Sequence, residues 1–570
     1  MPPKPKRWNI MPRVPSNIIA RLPQLNSLLA QILYNRGIVS SEQVEAFLAP
    51  DSQIGNPFQL RGMNAAVERL RRAIKAREPI AVYGDFDVDG VTATALLTQT
   101  LEAIGANVQP YIPHRIEEGY GLNRDALKQL KDSGVRVVVT VDSGIRSLDE
   151  VAFGKNIGLD MIVTDHHTPG ADAPDALAVI NPKQAECPYP FKELSGSGVA
   201  FKLAQALLRA EKSAPQRADK DAPLLAEDAL LDLVALGTVA DLVPLTGENR
   251  ALVKRGIEKL RATDRPGIQA MLRHATTRAQ TISASTIGYT LGPRLNAAGR
   301  LDHALGAYHL LTTLYPAEAD QLAQQLEMTN RERQRITQEL TAQARARVTA
   351  FVDDHLLFVA APDFPEGIIG LIAGRLSEEF YRPAIAVHQG EEESRGSARS
   401  ISEFNIVAAL DECKDLLVRH GGHAAAAGFT VRNENLAALE NRLRALARQT
   451  LADSELVPLV HIDAETTLNE MNWDLQKALE QLAPFGYGNR EPVFASRNVT
   501  VREARIVGND HLKLTLSDGQ LTWDAIAFRQ GKWLPEMPKQ IDLAYQMEAR
   551  EWNGRMQLQL NVMDIKPSEK

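Results

Sequence analysis

Acidic residues and a pair of histidines follow three short β-branched runs of this chain. Residues 85–89 (Asp-Phe-Asp-Val-Asp), Asp142 and residues 165–167 (Asp-His-His) each come directly after such a run. In an open parallel sheet, ligands gather beyond the carboxyl ends of the strands, so we expect these side chains to meet in one crevice. Carboxylates crowd together only where cations offset their repulsion. The sequence therefore predicts a divalent-metal site.

The segment 85–89 has the spacing of a ligand cluster. Asp85, Asp87 and Asp89 occupy alternate positions, which project to one side of an extended segment, and Gly90 permits a tight turn into a helix. Taken alone, the segment is equally consistent with a solvated acidic turn. An EF-hand loop is excluded because the glycine position and the missing final glutamate do not match. The Asp-His-His group favours metal binding, because adjacent histidines behind an aspartate at a strand end are rarely core residues.

The ligand types indicate which metal binds. Oxygen-rich ligation with one imidazole suits Mn²⁺ or Mg²⁺ better than Zn²⁺. There are enough carboxylates for two ions if one aspartate bridges them, and two ions about 4 Å apart form the standard arrangement for in-line attack on phosphorus. We therefore expect two Mn²⁺ or Mg²⁺ ions as cofactors.

Length and composition describe a multidomain globular protein. The chain has 570 residues, of which 44% are hydrophobic and 24% charged, so about two to four domains are expected. With a net charge of −7, any polyanion site must be a local basic groove. Cys187 and Cys413 are too few for a disulfide framework or a thiolate cage, which fits a reducing cytoplasm. Neither a membrane span nor a secretory signal is expected.

Strand and helix signals alternate between about residues 60 and 250, which predicts βα units around a parallel sheet. The strand signals lie at 80–83, 108–112, 135–141, 160–164 and 176–180, and the helix signals at 91–104, 123–132 and 227–240. The same alternation returns at 351–450. We therefore expect two α/β domains.

A long helix is expected between these two domains. Residues 317–361 contain neither Gly nor Pro, and Pro316 marks the start of the stretch. About 35 residues of continuous helix would span about 50 Å. Two helices with an unmarked turn would also fit, but we favour a single connecting helix.

The C-terminal part of the chain changes to period-two patterns. Such runs flank Asp518-Gly519 and Asn553-Gly554, which are strong hairpin signals, and they predict a small β-barrel with an OB-fold as the best candidate. Its aromatics are candidates for stacking on bases, although several are equally consistent with a core: Trp523, Phe528, Trp533, Tyr545 and Trp552. The expected division is an N-terminal helical extension at 1–55, an α/β domain at 56–315, a connecting helix at 316–350, a second α/β domain at 351–454 and the barrel at 455–570.

Four segments together resemble the motifs of the DHH phosphoesterase superfamily; they are residues 85–90, 142–144, 165–167 and 237–241. Residues 421–429 (Gly-Gly-His-Ala-Ala-Ala-Ala-Gly-Phe) resemble the signature of the DHH-associated domain. Residues 292–300 (Gly-Pro-Arg-Leu-Asn-Ala-Ala-Gly-Arg), the chain length and the β-rich tail are similar to the bacterial RecJ family of single-strand-specific exonucleases. The resemblance covers residues 60–565, and its motifs are specific in combination. It implies a DHH domain at 56–315, a DHH-associated domain that binds the 5′ end at 351–454 and a nucleic-acid-binding OB-fold at 455–570.

The resemblance implies roles for the residues at the strand ends. Asp87 and Asp142 would hold one ion, with Asp85 near it. Asp89, His166 and Asp241 would hold the other ion, with Asp142 as the bridge. Three further residues would have catalytic roles: His167 would face the phosphate and assist the charge that develops there, Asp165 would orient an imidazole, and Arg294 would add positive charge at the phosphate. Without the resemblance, Arg294 is equally consistent with a surface arginine.

The resemblance also implies a site for the 5′ end of the substrate, built from hydroxyls, guanidinium groups and backbone amides. The residues that it assigns to substrate binding are Arg115, Asn296, Ser397, Arg399, Gly421, Gly422 and His423. Ala398 departs from the Ser-Gly-Arg pattern of the family, which matters if the substrate must approach the backbone there. Residues 424–427 are expected to form a small-residue seam between packed helices.

The implied function is a 5′→3′ exonuclease that degrades single-stranded DNA to 5′-mononucleotides in DNA recombination and repair. The implied partners are single-stranded DNA with a 5′ end, a single-strand-binding protein and a RecQ-type helicase, with a monomeric, cytoplasmic protein and no membrane. One alternative is a DHH hydrolase of small phosphoanhydrides or short oligonucleotides, which the β-rich tail disfavours. Another is a non-catalytic replication scaffold, which the complete set of expected ligands disfavours.

Overall fold

The computed structural model describes residues 6–49, 53–115, 117–119, 121–213, 225–349, 354–552 and 554–568, with Trp552 described by its backbone alone. Two compact units are present. The larger unit consists of Gly55–Val243 and Ala251–Leu456, and the terminal unit consists of Met1–Ile54, Pro244–Arg250 and Val457–Lys570. The expected boundary between 350 and 351 lies outside the described residues, and the five-domain division stays a prediction.

The terminal unit begins with one strand and three helices: β1 (Arg7–Ile10), α1 (Ser16–Ile19), α2 (Ser27–Asn35) and α3 (Ser41–Leu48). Side chains cap the second and third helices, because Asn26 accepts from the backbone of Leu29 and Ser40 forms a capping box with Gln43. β1 pairs in parallel with the distant strand Leu459–Ile462. The N-terminal extension is therefore built into the C-terminal part of the chain.

The first sheet of the larger unit has five strands: β2 (Ile80–Tyr83), β3 (Val108–Tyr111), β4 (Val137–Thr140), β5 (Asp160–Thr164) and β6 (Ala178–Ile180). All neighbours pair in parallel, in the order β3-β2-β4-β5-β6. This confirms the predicted parallel sheet. The chain order reverses between β2 and β4, and in such sheets ligands bind beyond the carboxyl ends of the strands at that switch point.

The helices that accompany this sheet in the chain are α4 (Met63–Ala76), α5 (Val88–Ala103), α6 (Arg124–Asp132), α7 (Leu148–Asn156), α8 (Gly196–Lys212), α9 (Leu231–Ala240), α10 (Gly247–Arg261, which starts in the terminal unit), α11 (Pro266–His274), α12 (Ala284–Thr286), α13 (Gly292–Leu301) and α14 (Leu305–Thr312). A π-helical turn, Ile287–Leu291, separates α12 from α13. α5 is buried along nearly its whole length. Its threonines tolerate burial because Thr92, Thr94 and Thr100 each donate to the carbonyl four residues earlier.

A single helix, α15 (Pro316–Val348), connects the two α/β parts of the larger unit. Its 33 residues correspond to a length of about 50 Å. Pro316 occupies the first turn, where a backbone N–H would have no acceptor within the helix, so proline costs no hydrogen bond there. The expectation of one continuous helix is confirmed.

The second α/β part contains β7 (Leu357–Ala361), α16 (Glu366–Phe380), β8 (Ala384–Gln389), β9 (Glu393–Arg399), α17 (Ile406–Asp411), β10 (Leu417–His423), β11 (Ala426–Arg432) and α18 (Leu436–Leu451). Its sheet has the order β10-β11-β9-β8-β7, with only β7 and β8 parallel. The expected helix seam at 424–427 is wrong, because Ala424 and Ala425 form the turn of the β10–β11 hairpin. A Cβ on Gly422 would lie 2.3 Å from the carbonyl oxygen of Ala426, so close strand pairing explains the small residues there.

The C-terminal part of the terminal unit contains β12 (Leu459–Ile462), β13 (Ala464–Glu465), α19 (Trp473–Glu480), β14 (Phe494–Val507), β15 (His511–Ser517), β16 (Thr522–Ala527), β17 (Gln540–Trp552) and β18 (Arg555–Pro567). The strands run in the order β13-β14-β15-β16-β18-β17, and pairing of β14 with β17 closes the barrel. Both predicted hairpins are present, although Asn553 itself lies outside the described residues. The predicted OB-type barrel is thus confirmed.

The barrel core explains most of its aromatic residues. Trp523, Trp533 and Tyr545 are buried in one cluster that also contains Leu29 and Ile32 of α2. Phe528 is 49% exposed and contacts His511 with a ring-centroid distance of 5.2 Å. The first three rings therefore stabilise the fold rather than offering free surfaces to bases. No helix in the described ranges is long and apolar enough to cross a membrane.

A candidate metal centre and an adjoining basic cavity

The first acidic segment turns directly from β2 into α5. Asp87 is the N-cap of α5, and its side chain accepts hydrogen bonds from the backbone N–H of Asp89 (2.9 Å) and Gly90 (3.1 Å). The carboxylate also interacts favourably with the helix dipole. A Cβ on Gly90 would lie 2.6 Å from the backbone nitrogen and oxygen of Asp85. Glycine is therefore needed for the tight turn that brings these carboxylates together.

Asp142 lies just beyond β4 in a left-handed conformation. Its φ of 60° is uncommon for a residue other than glycine and is typical of strained functional positions. Its side chain is buried against the start of α8, where a Cβ on Gly196 would lie 2.4 Å from Asp142 Oδ1. Helix α8 approaches the carboxylate this closely because residue 196 has no side chain.

Helices α8 and α9 close around Asp89. The Asp89 carboxylate accepts from the backbone N–H of Gly196 (2.6 Å) and Ser197 (2.9 Å), where the positive end of α8 stabilises an anion. A Cβ on Gly237 of α9 would lie 2.4 Å from Asp89 Oδ1. The same helix ends at Asp241, which is its C-cap. Tight packing of α9 thus delivers a further carboxylate to the cluster.

The predicted ligands form three overlapping groups in which one ligand atom from each residue lies within 4.8 Å of the others: Asp85, Asp87 and Asp142; Asp89, His166 and Asp241; and Asp142, His166 and His167. His166 Nε2 lies 3.0 Å from Asp142 Oδ1 and 3.5 Å from Asp241 Oδ2. Because Asp142 and His166 each belong to two groups, they join the cluster into one continuous site.

The donor set fits divalent cations. Among the described residues, Asp85 Oδ1, Asp142 Oδ1 and both ring nitrogens of His166 are buried and make no contact with hydrogen-bond geometry. Buried polar atoms without partners are rare in proteins, and each needs an explanation. Carboxylate oxygens with one buried imidazole are ligands that suit Mn²⁺ or Mg²⁺. Such ions therefore account for the two carboxylate oxygens and for one ring nitrogen of His166.

Burial and mutual repulsion perturb the ionisation of the cluster. Burial, followed by the charge of neighbouring aspartates, raises the pKa of Asp85, Asp142 and Asp241 well above the usual range and raises the pKa of Asp89 to about 6. Burial, followed by the nearby His167, lowers the pKa of His166 to about 3. The His166 imidazole is therefore neutral at physiological pH, as a metal ligand must be.

Asp165 binds His167. Its Oδ1 accepts a hydrogen bond from His167 Nδ1 (2.7 Å), and its Oδ2 accepts from the backbone N–H of Ile145 (2.9 Å). Burial opposes protonation of His167, but the hydrogen bond and charge of Asp165 outweigh it and raise the pKa of His167. The ring is 35% exposed and is fixed in orientation, so it can present a proton to a group bound at the cluster.

Two further predicted residues lie on α13. Arg294 Nε donates to Glu327 Oε2 of α15 (2.7 Å), and its Nη1 donates to the carbonyl oxygen of Thr290 (2.7 Å). Asn296 Oδ1 accepts from the backbone N–H of Val88, at the start of α5. The structure therefore brings Asn296 to the acidic turn, whereas the guanidinium of Arg294 is paired with Glu327.

A cavity of about 460 Å³ adjoins the cluster within the larger unit. Its described lining includes one carboxylate, Glu366, and five arginines: Arg115, Arg300, Arg395, Arg399 and Arg419. Arg395 pairs with Glu366 (2.5 Å), and no ion pair with a carboxylate is seen for the other four in the described part of the chain. Phe86, which lies between Asp85 and Asp87 in the chain, also lines the cavity, with the Arg115 guanidinium 4.8 Å above its ring. The cavity therefore offers strong positive charge next to the candidate metal ligands.

β9 supplies two of the predicted cavity residues by strand alternation. Ser397 and Arg399 face the cavity, and Arg399 Nη1 donates to Ser397 Oγ (3.2 Å) and to the carbonyl oxygen of Ala398 (2.8 Å). The side chain of Ala398 is completely buried in the core on the opposite face of the sheet. Alanine in place of the family's glycine therefore adds no methyl group to the cavity.

Some predicted substrate-binding residues lie in the cavity and others do not. Arg115, Ser397, Arg399 and Gly421 belong to its lining. Gly422, His423 and Asn296 are not among the described lining residues. Arg419 and His420, which precede Gly421 on the edge strand β10, line the cavity instead of Gly422 and His423. The cavity residues of β10 therefore lie closer to the start of the strand than the resemblance implies.

Sequence reasoning missed two cationic residues near the site. Arg300 lines the cavity and donates to the carbonyl oxygen of Gly367, and burial together with neighbouring arginines lowers its pKa to about 9. Arg300 is the last residue of segment 292–300, and the resemblance of that segment to the RecJ family is the sequence signal that marks it. Burial and the neighbouring aspartates raise the pKa of Asp241, and the charge of the second residue, Lys183, partly opposes this rise. No motif marks Lys183, because only the fold brings the loop after β6 to the cluster.

Three family models match the chain: the DHH family N-terminal domain over residues 79–238, the DHHA1 domain over 353–452 and the RecJ OB domain over 462–564. The single-stranded-DNA-specific exonuclease RecJ of Bacillus subtilis is 37% identical, over 99% of this chain and 71% of that protein. The Salmonella typhimurium protein of the same name is also 37% identical, over 96% of this chain and 97% of that protein. The crystal structure of RecJ in complex with Mn²⁺ from Thermus thermophilus has a TM-score of 0.84 and 29% identity, and the match covers 99% of this chain and 80% of that one. The chain belongs to the RecJ family of single-stranded-DNA-specific exonucleases.

Proposed function

We propose that this protein is a metal-dependent exonuclease that removes 5′-mononucleotides from single-stranded DNA in the 5′→3′ direction and acts in DNA recombination and repair. The single observation that supports digestion from the 5′ end is the basic cavity beside the ligand cluster. Phe86 and Arg115 lie at the junction of the two, so a strand end held in the cavity has its first internucleotide linkage near the cluster.

The ligand cluster has room for two divalent ions, such as Mn²⁺ or Mg²⁺. Asp85, Asp87 and Asp142 would hold one ion, and Asp89, His166 and Asp241 the other, with Asp142 as the bridging carboxylate. Two bound ions would supply an activated water molecule and charge neutralisation at the phosphate. Hydrogen bonds from the start of α8 orient Asp89, and the N-cap contacts orient Asp87, before any cation binds.

His167 and Asp165 are proposed to handle the leaving group. A His167 imidazole with a raised pKa is suited to donate a proton or hydrogen bond to the departing 3′ oxygen, and Asp165 fixes the ring and stabilises its protonated form. Asp165 thus acts through His167 rather than as a metal ligand.

The 5′-terminal phosphate is proposed to bind in the cavity. Arg399, Ser397 and Arg115 supply guanidinium and hydroxyl donors, and Gly421 leaves the edge of β10 free of a side chain. Arg300 adds a further cation from α13. A dianionic end therefore gains more from this cavity than an uncharged hydroxyl end does.

Roles for Arg294, Asn296, Gly422 and His423 in substrate binding stay predictions. Arg294 would have to leave Glu327 to reach a phosphate. A single-strand-binding protein and a RecQ-type helicase as partners, a monomeric state and a cytoplasmic location also remain predictions. Hydrolysis of small phosphoanhydrides is disfavoured, because the chain carries the RecJ OB domain in addition to the DHH and DHHA1 domains.

The test is digestion of single strands labelled at either end, with Mn²⁺ or Mg²⁺, and of a matched blunt duplex. We expect the 5′ label to appear first as a mononucleotide and the duplex to resist. The Asp142→Ala protein, purified in parallel, controls for contaminating nucleases. Earlier release of the 3′ label, or equal digestion of the blunt duplex, would contradict the proposal.

A further inference from the structure

The helix that leads into the segment 292–300 is interrupted next to the ligand cluster. Between α12 and α13, residues Ile287–Leu291 form a π-helical turn. Such turns accommodate an extra residue at some loss of stability and occur frequently at functional sites. This turn packs on the last turn of α9: a Cβ on Gly292 would lie 3.6 Å from Ala240 Cβ, and one on Gly288 would lie 3.9 Å from Val239 Cγ1. Asp241 follows these two residues directly.

The bulky side chains of the π turn differ strongly in solvent exposure. Ile287 and Leu291 are completely buried, whereas Tyr289 between them is 85% exposed. Leu242, which follows Asp241 with a φ of 59°, is 70% exposed. Single exposed apolar residues are ordinary on protein surfaces. Here an aromatic and an aliphatic side chain are both exposed on the two segments that meet beside a candidate metal ligand.

Hydrogen bonds fix the backbone next to Tyr289. The Thr290 carbonyl oxygen accepts a hydrogen bond from Arg294 Nη1, and Arg294 Nε donates to Glu327 Oε2 of α15. Since Ile287 and Leu291 anchor the turn on either side of Tyr289, the ring projects from a rigid support rather than from a loop. A rigid aromatic surface loses little conformational entropy when a ligand covers it.

We propose that Tyr289 is a stacking platform for a nucleobase of the strand on the 3′ side of the scissile bond. This inference rests on the proposed function. The ligand cluster runs from Asp85, next to the basic cavity, through Asp142 and His166 to Asp241, next to the π turn. A strand whose 5′ end occupies the cavity and whose first linkage lies over the cluster therefore continues toward Tyr289. Stacking on an aromatic ring accepts every base, because all bases have a π face, as a nuclease without sequence preference requires.

The first test compares Tyr289→Ala, Tyr289→Phe and the matched control Tyr315→Ala on single-stranded oligonucleotides. Tyr315 is 72% exposed and precedes α15, 12 residues before Glu327, the partner of Arg294; this separation is about 18 Å along a helix. We expect Tyr289→Ala to raise KM by about 5- to 150-fold with a much smaller change in kcat. Tyr289→Phe and Tyr315→Ala should remain within about twofold of the wild type, and all three variants should melt as the wild type does. A Tyr289→Phe loss equal to that of Tyr289→Ala would show that the hydroxyl acts instead of the ring and would overturn the proposal.

The second test moves a single abasic nucleotide along the strand from the 5′ end. If the ring stacks on one base, its removal should cost the wild type about as much as Tyr289→Ala does, and the variant should then lose little more. Unchanged KM for Tyr289→Ala on the intact strand, or an equal loss at every abasic position, would overturn the inference. In either case normal 5′→3′ digestion by the wild type would leave the proposed function intact. Failure of the wild type to digest single strands from the 5′ end would refute both.

Discussion

Replacing Arg399 with alanine should reduce the preference of the enzyme for a 5′-phosphate over a 5′-hydroxyl end. Arg399 lines the basic cavity and donates hydrogen bonds to Ser397 Oγ and the carbonyl oxygen of Ala398; in the described ranges it pairs with no carboxylate. Burial, followed by the charge of Arg115, lowers the pKa of Arg399. A bound anion would therefore relieve both the desolvation and the repulsion of this guanidinium.

The magnitude follows from one lost charged contact. A hydrogen bond between charged groups contributes about 1.5–3 kcal/mol, and each 1.4 kcal/mol is a factor of ten. The ratio of kcat/KM for 5′-phosphorylated over 5′-hydroxyl strands should therefore fall by about 10- to 150-fold. Arg399→Lys keeps the charge but not the planar fork, so it should retain part of the preference. kcat on saturating 5′-hydroxyl strands should change little, because that end does not use the contact.

The assay measures both substrates side by side with a matched arginine variant. Arg345→Ala removes an exposed arginine that pairs with Glu379 on the surface (2.7 Å), and such pairs contribute little, so it should behave as the wild type. Mn²⁺ binding by calorimetry should be normal for both variants, since every candidate ligand precedes residue 242. An unchanged 5′-phosphate preference in Arg399→Ala would refute this reasoning and would move end recognition to another cation of the cavity.

Four further outcomes are expected. Asp142→Ala should abolish hydrolysis while leaving single-strand binding within a few fold, because it removes the carboxylate that we propose to bridge the two ions; activity within tenfold of the wild type would contradict the two-ion site. Gly237→Ala should weaken Mn²⁺ binding and destabilise the fold by about 1–3 kcal/mol, because its Cβ would lie 2.4 Å from a ligand oxygen, whereas Gly306→Ala, with open space around it in α14, should be neutral or slightly stabilising. Chelation of divalent ions should lower the melting temperature more at pH 8 than at pH 5.5. The fold raises the pKa of several carboxyls, to about 6 in one case, so the metal-free protein becomes less stable as the pH rises from about 4 through those values. Bound cations restore that stability, and chelation removes them. Phe528→Ala should weaken binding of a 30-mer several-fold without affecting a short oligonucleotide, whereas Trp533→Ala should unfold the barrel, which circular dichroism can separate from a binding defect.

The metal cluster could be predicted because its signals are local. Buried parallel strands are continuous β-branched runs, and their carboxyl ends meet at one edge of the sheet, so the sequence predicts that the residues after each run converge. The structure places Asp85, Asp142 and His166 together in this way. The long connecting helix was predictable for the same reason, since the absence of Gly and Pro is a property of one continuous stretch.

The features that sequence reasoning missed depend on contacts between distant segments. Arg300 reaches the cavity because α13 packs against the start of α16, where it contacts the Gly367 carbonyl oxygen. The β10–β11 hairpin has the sequence pattern of a helix-packing seam, because close strand pairing requires glycines and alanines there and leaves no period-two alternation. The pairing of β1 with β12 joins residues about 450 positions apart, which no local pattern indicates. Removal of the barrel would therefore also uncover the N-terminal helices, and point variants are cleaner tests of its role.

The same small residues that allow the cluster to form also make it depend on cations. Three glycines each stand against a candidate ligand: Gly90 against Asp85, Gly196 against Asp142 and Gly237 against Asp89. A Cβ on Gly90 would lie 2.6 Å from the backbone of Asp85, and a Cβ on Gly196 or Gly237 would lie 2.4 Å from a carboxylate oxygen. Helices α8 and α9 therefore approach the carboxylates more closely than any larger residue permits. That packing buries the carboxyls and raises their pKa values. A buried set of like charges lowers the stability of the metal-free fold, which proteins tolerate where function requires it. The helices that close on the cluster therefore make cation binding both possible and stabilising.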